Sequence, residues 1–218
     1  LIPDLDPRPA AAFPQNVLQI LQGDRSMTVT ILPSHADRFR LHPVAPRYAA
    51  MFAFALLTVS CALASFALAC ATPFAAFAVV AAAALPLRPA LLVITGAWLV
   101  NQCIGFGALH YPIDASTIAW GFVIGAAALL ATATASAVLG LLPQGRTPLM
   151  LALTFGAAYA AYELALFAAT PFLGGEGAFT AAIVTGIGLT SAVWLVGLVA
   201  ACEIVRLLDP FGRGRATA

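Results

Sequence analysis

From residue 48 to residue 207 the sequence consists of apolar stretches separated by short breaks, most of them long enough to cross a bilayer. A spanning helix needs about 20 predominantly apolar residues, because the hydrocarbon core is roughly 30 Å thick and each helical residue rises about 1.5 Å. The pattern predicts an all-α polytopic membrane protein with six spans, at 48–71, 73–87, 89–109, 115–142, 148–170 and 178–207. Pro73, Pro89 and Pro148 suit first-turn positions, where a missing N–H costs nothing, whereas Pro112, Pro143 and Pro171 are expected to break the chain between spans. The second stretch is the short one, and crossing would require it to thin the bilayer locally; otherwise it is re-entrant.

Composition agrees with a lipid environment: 62% of the 218 residues are hydrophobic and 9% are charged. The net charge of +1 offers no basic stripe, so no nucleic-acid partner is expected. Charge is informative through position instead. Every basic residue is Arg, which together with the abundant Ala fits GC-rich coding and a bacterial inner membrane. Arg38, Arg40 and Arg47 precede the first span, Arg88 lies between the second and third, Arg146 between the fourth and fifth, and Arg206, Arg213 and Arg215 close the chain. Positive charge accumulates on the cytoplasmic side, so six crossings with both termini cytoplasmic reproduce this alternation. Five crossings would put Arg88, Arg146 and the C-terminal cluster opposite the N-terminal one.

Residues 1–47, rich in Pro, Asp and Arg, are expected to form a mobile cytoplasmic segment, and 208–218 a cytoplasmic tail. The short apolar patch at Val17, Leu18, Ile20 and Leu21 is not expected to be a cleavable signal peptide. Gln22-Gly23-Asp24 is encodable by a purine-rich, ribosome-binding-like sequence. The hypothesis follows that translation starts at Met27 and that 1–26 are not native; peptides from this stretch in the natively expressed protein would end it.

Polar groups deep in a span are costly and are the best functional clues. Glu163 lies about 22 Å into the fifth span, and Asn101 and Gln102 about 18 Å into the third, both counted from the cytoplasmic end at helical rise. The three therefore converge in the outer half of the membrane. Tyr159 shares a helical face with Glu163, being four residues earlier, while Tyr162 points nearly sideways from it. Trp120 sits at the same level on the fourth span. The expected ligand-binding set is Asn101, Gln102, Tyr111, Trp120, Tyr159 and Glu163, with His110 and Asp114 at the mouth of a pocket open to the outside. Asn101 and Gln102 have an equal claim as hydrogen bonds between helices, and, being adjacent, they point about 100° apart, so both can hardly face one cavity. Trp98 and Trp194 read as packing or interfacial aromatics, and Glu203 as a charge that snorkels or pairs with Arg206.

Enzymatic signatures are missing. No His falls mid-span, no second deep carboxylate accompanies Glu163, and Gly186-Ile187-Gly188 has no strand before it, so neither an enzyme nor a cofactor or metal site is expected. Cys61, Cys70, Cys103 and Cys202 lack metal-ligand spacing and read as small buried hydrophobes.

Six helices, a length near 200 residues, cytoplasmic ends and an outer-half pocket resemble the substrate-binding subunits of energy-coupling-factor transporters. The small residues Cys61, Ser65 and Ala69 are similar to the Ala-rich docking face of that family. The resemblance implies capture of a small solute outside and delivery with separate energy-coupling membrane and ATPase subunits. Two other readings stand beside it. In one the chain is a structural or accessory subunit whose amides and Glu163 lock helices; in the other it is a small proton- or cation-coupled transporter with Glu163 as the exchange site.

Overall fold

The computed structural model describes residue 41 and residues 43–68, 71–142 and 147–208. The expectations for residues 1–40, for Cys70, Pro143 and Arg146, and for the tail from 209 lie outside them. The described residues are helical, without strands: α1 (Pro46–Leu68), α2 (Phe74–Ala84), α3 (Leu87–Cys103), α4 (Ala115–Leu141), α5 (Thr147–Leu173) and α6 (Ala181–Leu208). A π-helical turn, Ile104–Ala108, extends α3, and a 3-10 turn, Glu176–Phe179, precedes α6. Five of these helices, all but α2, are long and apolar enough to cross a membrane.

The exception organises the rest. With 11 residues, α2 is about 16 Å long at helical rise, roughly half a hydrocarbon core. Its sequence, FAAFAVVAAAA, has no polar face, and every residue in it is buried. Nine of the eleven are Ala or Val, small enough for neighbouring backbones to come close, and α2 packs against all five long helices. Phe74 and Phe77 fill the wider gaps, edge to face with ring centroids 5.8 Å apart.

Two cross-helix bonds fix the relative direction of α1 and α3. Cys61 Sγ donates to the Ala97 carbonyl at 3.1 Å, and Asn101 Nδ2 donates to Ser65 Oγ at 2.9 Å. The sequence offset is 36 in both, one turn apart on each helix, so α1 and α3 run parallel. The chain between them must therefore reverse and come back. At the far end of this return the Leu41 amide donates to the Ala83 carbonyl at 2.7 Å, which brings the end of α2 level with the segment just before α1.

Pro171 does not break the chain as expected: α5 runs through it to Leu173. A proline in the last turn deprives the Phe167 carbonyl of its backbone donor, and the Thr170 hydroxyl supplies the bond instead at 2.8 Å. The reversal comes after it, at Gly174 and Gly175, whose φ angles of 77° and 98° favour glycine. Cys61 and Cys202 are buried as expected, whereas Cys103 is exposed because it closes α3 on the side away from α1 and α2. Glu203 pairs with Arg206 one turn later, in line with its expected surface role.

Candidate functional site

Above the N-terminal end of α2 the bundle opens into a cavity of about 440 Å³. Its position follows from the shortness of α2, which leaves the space beyond Phe74 unfilled by helix. Ala71 and Thr72, in the connection from α1, form the floor. Thr117, Trp120 and Ile124 of α4 make one wall, and Tyr162, Glu163 and Leu166 of α5 make another. Ile183 and Ile187 of α6 complete the enclosure, and Gly175, Ala178 and Phe179 cover it from the turn before α6.

Glu163 is the single acid on this lining. Its carboxyl meets the hydroxyl of Tyr159, one helical turn earlier. That hydroxyl donates to the Val184 carbonyl of α6 at 2.6 Å, so Tyr159 ties α5 to α6 directly behind the acid. The Tyr159 ring occupies the space that a side chain at Gly188 would need, since a Cβ there would lie 3.0 Å from it. Gly188 is thus a seat for Tyr159, with Ile187 beside it turned to the cavity.

The floor is held by amides. Asn101 Nδ2 donates to Thr72 Oγ1 at 3.0 Å as well as to Ser65, and Gln102 Nε2 donates to Asn101 Oδ1 at 3.0 Å. Ser65 in turn donates to the Cys61 carbonyl at 2.8 Å. Asn101 therefore joins α1, α3 and the connection at Thr72, and touches the cavity lining at Thr72. Gln102 faces α4: a Cβ at Gly121 would lie 2.5 Å from its Oε1. Trp98 donates to the Gly121 carbonyl at 2.9 Å and Trp194 to Ser60 Oγ at 2.6 Å, so both act as packing donors between helices.

At the mouth, Asp114 caps α4. Its carboxylate accepts from the Thr117 amide and the Thr117 hydroxyl, both at 2.9 Å, and those bonds hold the Asp114 carboxyl below the usual carboxylate range. Thr117 lines the cavity, so the cap orients one of its polar groups. Tyr111 lies against the π-turn, its ring 6.4 Å from Phe106 and its amide bonded to the Gly105 carbonyl at 3.0 Å. His110 is exposed with a φ of 56° at the reversal of the chain.

Of the six residues expected to contact a ligand, Trp120 and Glu163 line the cavity, and Tyr159 stands immediately behind Glu163. Asn101, Gln102 and Tyr111 lie outside the lining. Two lining residues had no sequence signal strong enough to single them out. Thr72 is a lone hydroxyl before a proline. Tyr162 was read as sideways to Glu163, and it is, but the cavity curves around α5 and reaches both. Among the described residues no three His, Cys, Asp or Glu side chains come together. Searches of protein-family models, curated proteins and solved structures find no match to this chain.

Proposed function

We propose that the chain is an integral membrane component of a transport system that binds a small solute in the cavity around Glu163. The observation that carries this reading is a lone carboxyl in an otherwise mainly apolar chamber. Its volume, about 440 Å³, falls in the range of small-molecule sites, which combine apolar walls with a few placed polar groups. A solute with an apolar body and one donor or cationic group fits best: Glu163 takes the donor, and Trp120 offers an aromatic face to a cation.

The same reading gives the protein six crossings with both termini cytoplasmic, in a bacterial inner membrane. The parallel course of α1 and α3 supports this, because the short α2 with its extended C-terminal flank then supplies the return leg. The cavity would open toward the outer face, and delivery would involve separate energy-coupling membrane and ATPase subunits, as in the transporters the sequence resembles.

The test is native mass spectrometry of the protein released from lipid nanodiscs after expression in a rich medium. A co-purifying small molecule, lost in Glu163→Gln and in Trp120→Ala while the fold persists, is the expected result. A specific observation favours the structural alternative for the amides: Asn101 is fully engaged with Ser65, Thr72 and Gln102. If the wild-type protein carries no solute and binds none from a panel of organic cations, and Glu163→Gln lowers only thermal stability, the helix-locking reading replaces solute binding. A pH-gradient-driven flux in liposomes that Glu163→Gln abolishes would instead establish a coupled transporter.

A further inference from the structure

Three arginines lie in the described residues, and they differ in how their charge is met. Arg47 stacks over the Tyr48 ring at 4.7 Å, and Arg206 pairs with Glu203. Arg88, exposed in the first turn of α3, makes no ion pair or hydrogen bond with the described residues. It also stands at the positive end of the α3 dipole, where a cation is disfavoured, so helix stability does not explain it.

Arg88 lies at one end of a groove between α3 and α4. Two adjoining cavities of about 680 and 320 Å³ share Thr95 and Leu129 and form one channel, from Arg88 to Trp98 and Phe122. The polar atoms on its wall are already bonded inside the protein: Thr95 Oγ1 donates to the Leu91 carbonyl at 2.9 Å and Trp98 Nε1 to the Gly121 carbonyl. The channel is therefore apolar along its length and charged at one end. From Arg88 to Trp98 it measures about 15 Å at helical rise, the depth of one leaflet.

We propose that this groove is a binding site for an anionic phospholipid, with the headgroup phosphate on Arg88 and one acyl chain along Thr95 and Leu129. Charge selects the occupant. A zwitterionic lipid covers the apolar wall equally well, but a net-negative headgroup alone neutralises an arginine that the described residues leave unpaired. The site is separate from the Glu163 cavity and stands whether or not that cavity binds a solute.

The experiment reconstitutes the whole chain in nanodiscs of phosphatidylcholine with a minority of phosphatidylglycerol and counts retained lipids by native mass spectrometry. Phosphatidylglycerol should be enriched about fivefold over its bulk share, the ratio corresponding to ~1 kcal/mol for one arginine near a membrane surface. Arg88→Gln should remove the enrichment, Arg88→Lys should keep most of it, and Arg47→Gln should leave it unchanged. Ala126→Phe, at an exposed groove position away from the core, should displace the lipid with Arg88 intact. Equal retention of the two lipids by the wild-type chain overturns the proposal. So does an enrichment that survives Arg88→Gln or Ala126→Phe, or one that Arg47→Gln removes to the same extent.

Discussion

Helices α2 and α6 are both strongly apolar, yet they meet different solvents. All 11 residues of α2 are buried in protein, whereas only Ser191, Leu195, Leu198 and Cys202 are buried among the 28 of α6. Leu189, Val193 and Val196 of α6 are each about two-thirds exposed, on the outward face of the bundle. Hydropathy alone does not separate these cases, because lipid tails and a protein core are similarly apolar. Side-chain size does: α2 is built from Ala and Val with two Phe and has no Leu or Ile, while α6 carries bulky Leu and Ile along its length. In a membrane bundle, small residues mark the helix that others surround.

The contrast is most open to breakage at Phe77. Truncating this fully buried ring, Phe77→Ala, is expected to cost about 3–5 kcal/mol of stability, whereas Leu189→Ala on α6 leaves the thermal transition in detergent in place. Equal shifts would mean that α2 is not the centre of the bundle. A sharper comparison adds volume. Ala81→Leu in α2 should destabilise by about 1–3 kcal/mol through overpacking, while the matched Ala200→Leu at an exposed position of α6 is tolerated. Smaller again is the tie between α6 and α1: Trp194→Phe removes the bond to Ser60 and should cost about 0.6 kcal/mol, the average for hydrogen bonds between membrane helices. Its check is a double-mutant cycle with Ser60→Ala, which should show the two changes to be non-additive.

The smallest effect lies outside the membrane, at the cap of α4. Because the bonds from Thr117 hold the pKa of Asp114 below its ordinary value in the folded protein, its contribution is fully present above the usual carboxylate range and is lost as pH falls through the lowered value. Asp114→Asn should therefore flatten the acid limb of the stability profile, followed by melting temperature between pH 6 and pH 3, because the variant lacks the charge-dependent contribution that the wild-type chain has at neutral pH and loses in acid.

Much of this architecture was legible in the sequence. The helices start and stop close to the positions that the apolar runs and prolines mark, and α4 begins at the predicted Ala115 behind its Asp114 cap. The miss at Pro171 has a local cause: Thr170 mends the missing bond, and nothing in hydropathy reports such a repair. Around the cavity, depth reckoning brought the Asn101 and Glu163 helices to one level, where Thr72 bonds to Asn101 and lines the chamber with Glu163. Depth says nothing of rotation, however, and rotation about the helix axis decides that Asn101 faces α1, Gln102 faces α4 and Tyr162 joins Glu163 on the wall. With polar residues so sparse, no amphipathic stripe exists from which rotation could be read.

The burial of α2 also dictates the sequence of assembly. Its neighbours include α5 and α6, which leave the ribosome long after it does. Until they arrive, this 11-residue segment, about half the length that crosses a bilayer, is flanked by α1, α3 and α4 and open on the side that α5 and α6 will cover. The earlier helices must therefore wait with an unfilled flank, and α5 and α6 are the helices that close it over α2.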